Sequence, residues 1–402
     1  MKLNQKMFDK MRDATRSLMA GGPQSATAAI QRALQGSAAA DTAPLKDAWK
    51  TDAHAANANA ASHGQSGLEP MSGFVADLLA KLKVQMPAEG MPFSTPPFAP
   101  QSTEATETAA ATGGRFISAS FTNQAGTRQY KLYIPTCYDD KPLPLVVMLH
   151  GCTQNPDDFA NGTRMNALAE EHRCLVVYPM QGQASNSSKC WNWFNAIDQK
   201  RDQGEPSIIA GITREIIGKY HVDSDRVYVA GLSAGGAMAA IMHATYPDVY
   251  AAAGVHSGLA FGAAHDLPSA LGAMKSGATG VSRPVSAASG KVIPIIVFHG
   301  DRDKTVHPRN GDDIMSQSLS GHTHAAGAPD VIVQEGQVKN GQSYTCTMHR
   351  NSAGQVIAEQ WLVHGAGHAW SGGSRNGTYT DPAGPDAAQE MMRFFYSHSL
   401  PH

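Results

Sequence analysis

An excess of positive charge is the first thing this sequence lacks. Its 32 Lys and Arg are matched by 34 Asp and Glu for a formal net charge of -2, which leaves no electrostatic footprint for a nucleic-acid partner. A long apolar run is missing too. Met1 to Arg12 is charged throughout and never gives the apolar stretch of a secretory signal, and no later stretch is long enough to span a bilayer. These absences predict a cytoplasmic protein with no membrane span and a small-molecule or polymeric substrate. Cysteine is scarce: Cys137, Cys152, Cys174, Cys190 and Cys346 have neither a zinc spacing nor the density of a disulfide scaffold. Apolar substance is not lacking. At 402 residues and 42% hydrophobic composition, the chain suffices for one large domain with appendages, or for two.

Residues 1–35 place Leu3, Met7, Met11 and Leu18 at helical spacing, break at Gly21-Gly22-Pro23 and resume through Ala26 to Leu34, which predicts a helical hairpin. Residues 36–113 read as a low-complexity linker. Ala, Asn, Ser, His and Gly dominate up to Gly67, one short helix is expected at about 71–86 around Phe74, Leu78, Leu79 and Leu82, and a proline-rich run follows from Met91. From residue 114 to 402 the pattern changes. A β-hairpin (Phe116 to Thr122 and Gln129 to Pro135) precedes apolar runs at Leu143 to Leu149, Cys174 to Tyr178, Val227 to Ala230 and Val292 to Phe298, separated by helical stretches. Such runs predict parallel strands buried on both faces, hence a three-layer α/β domain with a mostly parallel sheet. A Gly/Ala/Ser-rich insertion between Leu259 and Lys291 reads equally as a lid or a surface loop.

Chemistry concentrates at Gly231-Leu-Ser-Ala-Gly235, where an apolar β run meets a helix-forming stretch. A serine presented from a tight strand-to-helix turn needs glycine on both sides, so Ser233 is the candidate nucleophile, and the helix that follows offers it N-terminal amides. In an α/β-hydrolase the acid and base follow in the order Ser, Asp, His. The acid is expected in His299-Gly-Asp-Arg-Asp, where Asp303 is preferred to Asp301, which sits at the strand exit. The base is expected in His364-Gly-Ala-Gly-His368, where the glycines free His368 to approach the serine and His364 is still on the strand. An oxyanion needs two converging amides; Ala234 supplies one, and Cys152, after the turn at Gly151, supplies the other. His256 and His307 are read as surface or packing residues.

His150-Gly-Cys-Thr-Gln, Cys190-Trp-Asn-Trp-Phe, Gly231-Leu-Ser-Ala-Gly-Gly-Ala-Met, His299-Gly-Asp-Arg-Asp and Gly367-His-Ala-Trp-Ser-Gly-Gly, taken in series, resemble the polyhydroxybutyrate depolymerase family of esterases over roughly Arg115 to His402. The resemblance implies an α/β-hydrolase fold and a serine carboxylic-ester hydrolase acting on hydroxyalkanoate-type esters, with feruloyl or acetyl esters as the alternative. It also allows an extracellular setting. No metal or organic cofactor is implied. A reading from another class is a non-catalytic hydrolase-fold protein that binds a partner or polymer, against which the intact Ser-Asp-His order speaks. Trp191, Trp193 and Trp370 flank the motifs and are candidates to line an apolar cleft, with core packing as their ordinary fate. Finally, Cys152 and Cys190 both lie in loops expected at the active-site edge, whereas Cys174 begins a strand and Cys137 precedes the first long one, so a disulfide between Cys152 and Cys190 would hold the oxyanion loop still.

Overall fold

The computed structural model describes residues 106–109, 113–139, 141–278, 292–326 and 329–400. The hairpin expected over 1–35, the helix expected over 71–86 and part of the insertion, 279–291, lie outside the described residues.

Among the described residues, eleven strands enter one sheet: β1 (Thr106–Ala109), β2 (Arg115–Asn123), β3 (Gly126–Ile134), β4 (Leu143–Leu149), β5 (Leu175–Pro179), β6 (Val222–Leu232), β7 (Ala252–His256), β8 (Ile295–Gly300), β9 (Asp330–Gln337), β10 (Ser343–Arg350) and β11 (Val356–Val363). Their spatial order is β1-β2-β3-β5-β4-β6-β7-β8-β11-β10-β9. Neighbours from β5 through β11 in that order are parallel, and antiparallel strands flank them on both sides. The sequence explains the centre. β4, β5, β7 and β8 are buried along their whole length, as strands covered on both faces must be.

Alternation then sorts their side chains into two cores. Leu145, Val147 and Leu149 pack with Ile208, Ile212 and Met238, while Val146 and Met148 pack with Phe159, Met165 and Phe394. The helices supplying those partners are α1 (Pro156–Thr163), α2 (Met165–His172), α3 (Gly204–Lys219), α4 (Ala234–Thr245) and, after α5 (Leu267–Ser276) and α6 (Arg309–Ala326), α7 (Ala387–Phe395). This is the three-layer α/β arrangement expected.

Its details differ from the sequence pattern in instructive places. β1 lies inside the stretch read as linker: Thr106 pairs with Ser118 and Ala109 with Arg115. An edge strand needs backbone pairing rather than an apolar pattern, and Thr-Glu-Thr-Ala gives that without announcing it. β8 starts at Ile295 rather than Val292, because Pro294 has no N–H for a ladder; its carbonyl instead accepts from the Ala253 amide at 3.0 Å. β7, Ala-Ala-Gly-Val-His, is too poor in bulky side chains to read as a strand, although every residue in it is buried. β9 is largely exposed along its length and shows no alternation to find.

Candidate active site

β6 delivers Ser233 into a turn with φ 57° and ψ −118°, after which α4 begins. That conformation is costly for a residue with a side chain, and neighbouring glycines make room for it. A Cβ on Gly235 would lie 2.0 Å from the Leu149 carbonyl oxygen, and one on Gly231 would lie 2.3 Å from that of Gly235. The Ser233 amide donates to the His256 carbonyl at 2.9 Å, which fixes the turn to the end of β7.

Ser233 Oγ lies 2.9 Å from His368 Nε2, and His368 Nδ1 lies 2.6 Å from Asp303 Oδ2. Asp303 is therefore the carboxylate in reach of His368, and its other oxygen accepts the Thr305 and Val306 amides at 2.8 Å each. Its side chain is fully buried. Burial alone would raise its pKa, but hydrogen bonds from His299 and His368 outweigh that and hold the carboxyl well below the usual range. Asp301 and His364 find each other instead: Asp301 Oδ2 is 3.1 Å from His364 Nδ1, and Asp301 Oδ1 accepts the Gly365 amide at 2.7 Å.

Cys152 and Ala234 both line the space beside Ser233. Cys152 and Cys190 are disulfide-bonded with their Cα atoms 4.2 Å apart. The Cys190 loop is itself anchored in the interior. Gln181 Nε2 donates to the Cys190 carbonyl at 3.0 Å, and Glu205, whose pKa is raised by burial and by nearby Asp198, accepts the Asn192 amide at 2.7 Å and sits 3.1 Å from Arg128.

Beside Ser233 and Ala234 opens an apolar cleft walled by Trp193, Phe194, Leu259, Leu271, Met274 and Val306. The insertion thus contributes Leu259 and α5 to the cleft wall. Of the three tryptophans, only Trp193 lines it. Trp191 is fully buried and donates to the His150 carbonyl at 3.1 Å. Trp370 is packed between Phe159 and His256, with ring centroids 5.5 and 5.1 Å away. Both are corrections: rings this large had more apolar contact to gain inside than at the cleft. No group of three or more His, Cys, Asp or Glu among the described residues is arranged to hold a metal ion.

A family profile described as "Esterase PHB depolymerase" matches residues 128–338, more than half of the chain. The chain belongs to this esterase family. Among its relatives, the poly(3-hydroxyalkanoate) depolymerase C of Paucimonas lemoignei is 33% identical over 247 residues, covering 60% of this chain and 56% of that protein. The feruloyl esterase B of Thermothelomyces thermophilus is 29% identical over 203 residues, 47% of this chain and 68% of that one. The acetylxylan esterase A of Talaromyces purpureogenus is 31% identical over 202 residues, 47% of this chain and 52% of that one. The match thus spans roughly half to two thirds of these relatives' lengths. An acetyl xylan esterase structure from Aspergillus awamori superposes with a TM-score of 0.53 at 21% identity, covering 73% of this chain and all of that one, a likeness of fold.

Three further residues support the site of this family member, and two of them, His299 and Gln154, had no role assigned from sequence. His299, fully buried, bonds the Val306 carbonyl at 2.9 Å and lies 3.5 Å from Asp303 Oδ2, so it backs the carboxylate from behind. His256 Nε2 accepts the Ser371 amide at 2.9 Å and its ring stacks on Trp370; burial, with the nearby His299 and His368, lowers its pKa to about 3, so it stays neutral. Its packing role is the one its residue type suggested. Gln154 Oε1 accepts the Gly151 amide at 2.9 Å and so orients the peptide leading into Cys152. His256 reaches Ser371 across a sequence separation of 115, which no local pattern encodes, whereas His299 and Gln154 hold near neighbours in their own loops.

Proposed function

We propose that the protein is a serine carboxylic-ester hydrolase that cleaves hydroxyalkanoate-type esters through an acyl-enzyme. The observation that carries this is the unbroken chain from Ser233 through His368 to buried Asp303, at 2.9 and 2.6 Å. Ser233 Oγ attacks the ester carbonyl while His368 Nε2 takes its proton, and Asp303 holds Nδ1–H and stabilises the imidazolium that forms. The tetrahedral oxyanion is held by the amides of Cys152 and Ala234. His368 then protonates the departing alkoxide, and a water activated by the same nitrogen clears the acyl group.

The apolar cleft supports an aliphatic acyl chain, as does the relatedness to a poly(3-hydroxyalkanoate) depolymerase. Trp193 and Phe194 in that cleft support a second reading, an aromatic acyl group of the feruloyl kind. No described helix is long and apolar enough to cross a membrane. The Cys152–Cys190 bond supports work in an oxidising compartment rather than in the cytoplasm expected from the N-terminal residues.

A substrate panel tests the reading: p-nitrophenyl butyrate, hydroxybutyrate oligomers, amorphous polymer and methyl ferulate, with an active-site-directed phosphonate to label Ser233. Ser233→Ala is expected to lose labelling and at least about 10³-fold in turnover while remaining folded. Turnover of methyl ferulate alone would select the second reading, and an unlabelled Ser233 in an inactive protein would select a non-catalytic binding role.

A further inference from the structure

The two sides of Ser233 differ in chemistry. His368 must hand its proton to the departing oxygen, so the alcohol part of the ester leaves on the side that His368 faces. His368 does not line the apolar cleft. It lines a second space, with Gly151, Cys152, Leu232, Ser233 and Tyr379, and Tyr379 also lines a neighbouring one with Thr153, Asn155, Asp158 and Thr378. Hydroxyl, amide and carboxylate side chains line that neighbouring space, where the cleft has almost none.

There Thr153 Oγ1 and the Tyr379 hydroxyl lie 3.2 Å apart. Both residues hold left-handed backbone, with φ 67° at Thr153 and 52° at Tyr379. For a β-branched residue and an aromatic one this backbone is strained and persists only where the surroundings enforce it. The surroundings do. The Thr153 amide donates to the Ser188 carbonyl at 2.7 Å, and the Tyr379 carbonyl accepts the Trp370 amide at 2.7 Å, which ties Tyr379 beside the His368 turn. Asp158 accepts the Thr378 amide at 2.9 Å and its hydroxyl at 2.6 Å, and Gln154 Nε2 donates to the Thr378 carbonyl at 3.1 Å. Gly377 packs so closely on Gly162 that a Cβ would meet its Cα at 2.4 Å. Two strained residues from distant parts of the chain are thus clamped with their hydroxyls together at the exit of the site.

We propose that the Thr153–Tyr379 hydroxyl pair is the subsite for the alcohol part of the substrate, and that it recognises a hydroxyl or carbonyl oxygen carried by that alcohol beyond the scissile bond. Each hydroxyl has one rotatable proton and two acceptor lone pairs, so the pair can meet either kind of oxygen. A repeating hydroxyalkanoate ester presents a carbonyl there and a sugar ester presents hydroxyls; a simple alkyl ester presents neither. The inference rests on the ester-hydrolase reading and adds the class of alcohol to it.

The test holds the acyl group constant: ethyl butyrate, glycerol monobutyrate and the butyrate ester of methyl 3-hydroxybutyrate are compared with the intact protein, Tyr379→Phe and Thr153→Val. Both substitutions keep shape and remove one hydroxyl. The kcat/KM ratio of each oxygen-bearing ester to ethyl butyrate is expected to fall about three- to tenfold in either variant, the worth of one hydrogen bond, and mainly through KM. A fall with only the glycerol ester assigns the subsite to hydroxyls, and with only the hydroxybutyrate ester to a carbonyl. Ratios within about twofold of the unsubstituted protein in both variants overturn the subsite and leave the hydrolase reading standing. Absence of all hydrolysis together with an unlabelled Ser233 removes the hydrolase reading and the subsite with it.

Discussion

Asp303→Asn is the substitution whose consequence the geometry fixes most tightly. Asp303 Oδ1 accepts two backbone amides at 2.8 Å, from Thr305 and Val306, and Oδ2 faces His368 Nδ1 at 2.6 Å. In asparagine the carbonyl oxygen must stay on the two amides, because the opposite orientation would set donor against donor in a buried site. Its NH2 group then points at His368 Nδ1, which has to accept. The imidazole proton moves to Nε2, where it confronts Ser233 Oγ, and the base can no longer take the serine proton. Loss of the correct tautomer is expected to lower kcat by about 10⁴-fold, or roughly 5 kcal/mol. Asp301→Asn is the matched control, since Asp301 contacts His364 and Gly365 rather than His368; a loss below about tenfold is expected. Initial rates on p-nitrophenyl butyrate, with circular dichroism and Tm to verify the fold, compare the two. Equal losses, or a larger loss at Asp301, would refute the tautomer argument and the choice of acid.

Two further outcomes follow from the supports of the site. Replacing both cysteines (C152S/C190S) frees a loop with a sequence separation of 38, for which the chain-entropy relation gives a destabilisation of about 4 kcal/mol; kcat should fall more than KM rises as the Cys152 amide loosens, and an unchanged Tm would count against the tie. Burial lowers the pKa of His150 and His243 to about 4 and that of His256 to about 3, from 6.5. Because the unfolded chain takes up protons that the fold refuses, stability is unaffected by these groups above pH 6.5. It falls between pH 6.5 and 4 by up to about 1.4 kcal/mol per pH unit for each imidazole. His243→Gln, remote from Ser233, should flatten the fall of Tm over that range, and an unaltered slope would show that the imidazole is not held neutral.

The parts of the molecule legible in the sequence are those whose physics is local. The Gly231 to Gly235 turn declares itself because only glycine tolerates carbonyl oxygens at 2.0 and 2.3 Å. β4 and β5 declare themselves as solid apolar runs. Distance hides the rest. Trp193 and Trp191 are two residues apart, yet one walls the cleft and the other is sealed beneath His150, a division set by the Glu205 and Gln181 anchors of their loop. Tyr379 sits among Gly, Ser, Asn and Thr and carries no motif, and its approach to Thr153 depends on a clasp to Asp158 220 residues away from Thr378.

The two aspartates and two histidines show most sharply where local pattern gives out and sheet register takes over. β8 and β11 are parallel neighbours with His299 opposite Leu362 and Gly300 opposite Val363, so the chains leave the sheet side by side and the next residues, Asp301 and His364, meet at once. The exit is stitched further by the Asp301 amide to the Val363 carbonyl at 3.1 Å and the Arg302 amide to the Ala366 carbonyl at 3.0 Å. Both nitrogens of His364 are then committed, Nδ1 to Asp301 and Nε2 to Thr345 Oγ1 at 2.9 Å, and none remains for a serine. One turn further on, Asp303 and His368 face each other with side chains 0% and 10% exposed, against 34% and 38% for Asp301 and His364. The same pair of residue types therefore does different work at the two levels. The outer pair, wet and saturated with partners, fastens the origin of the His368 loop. The inner pair, screened from water, keeps its interaction strong and leaves Nε2 directed at Ser233.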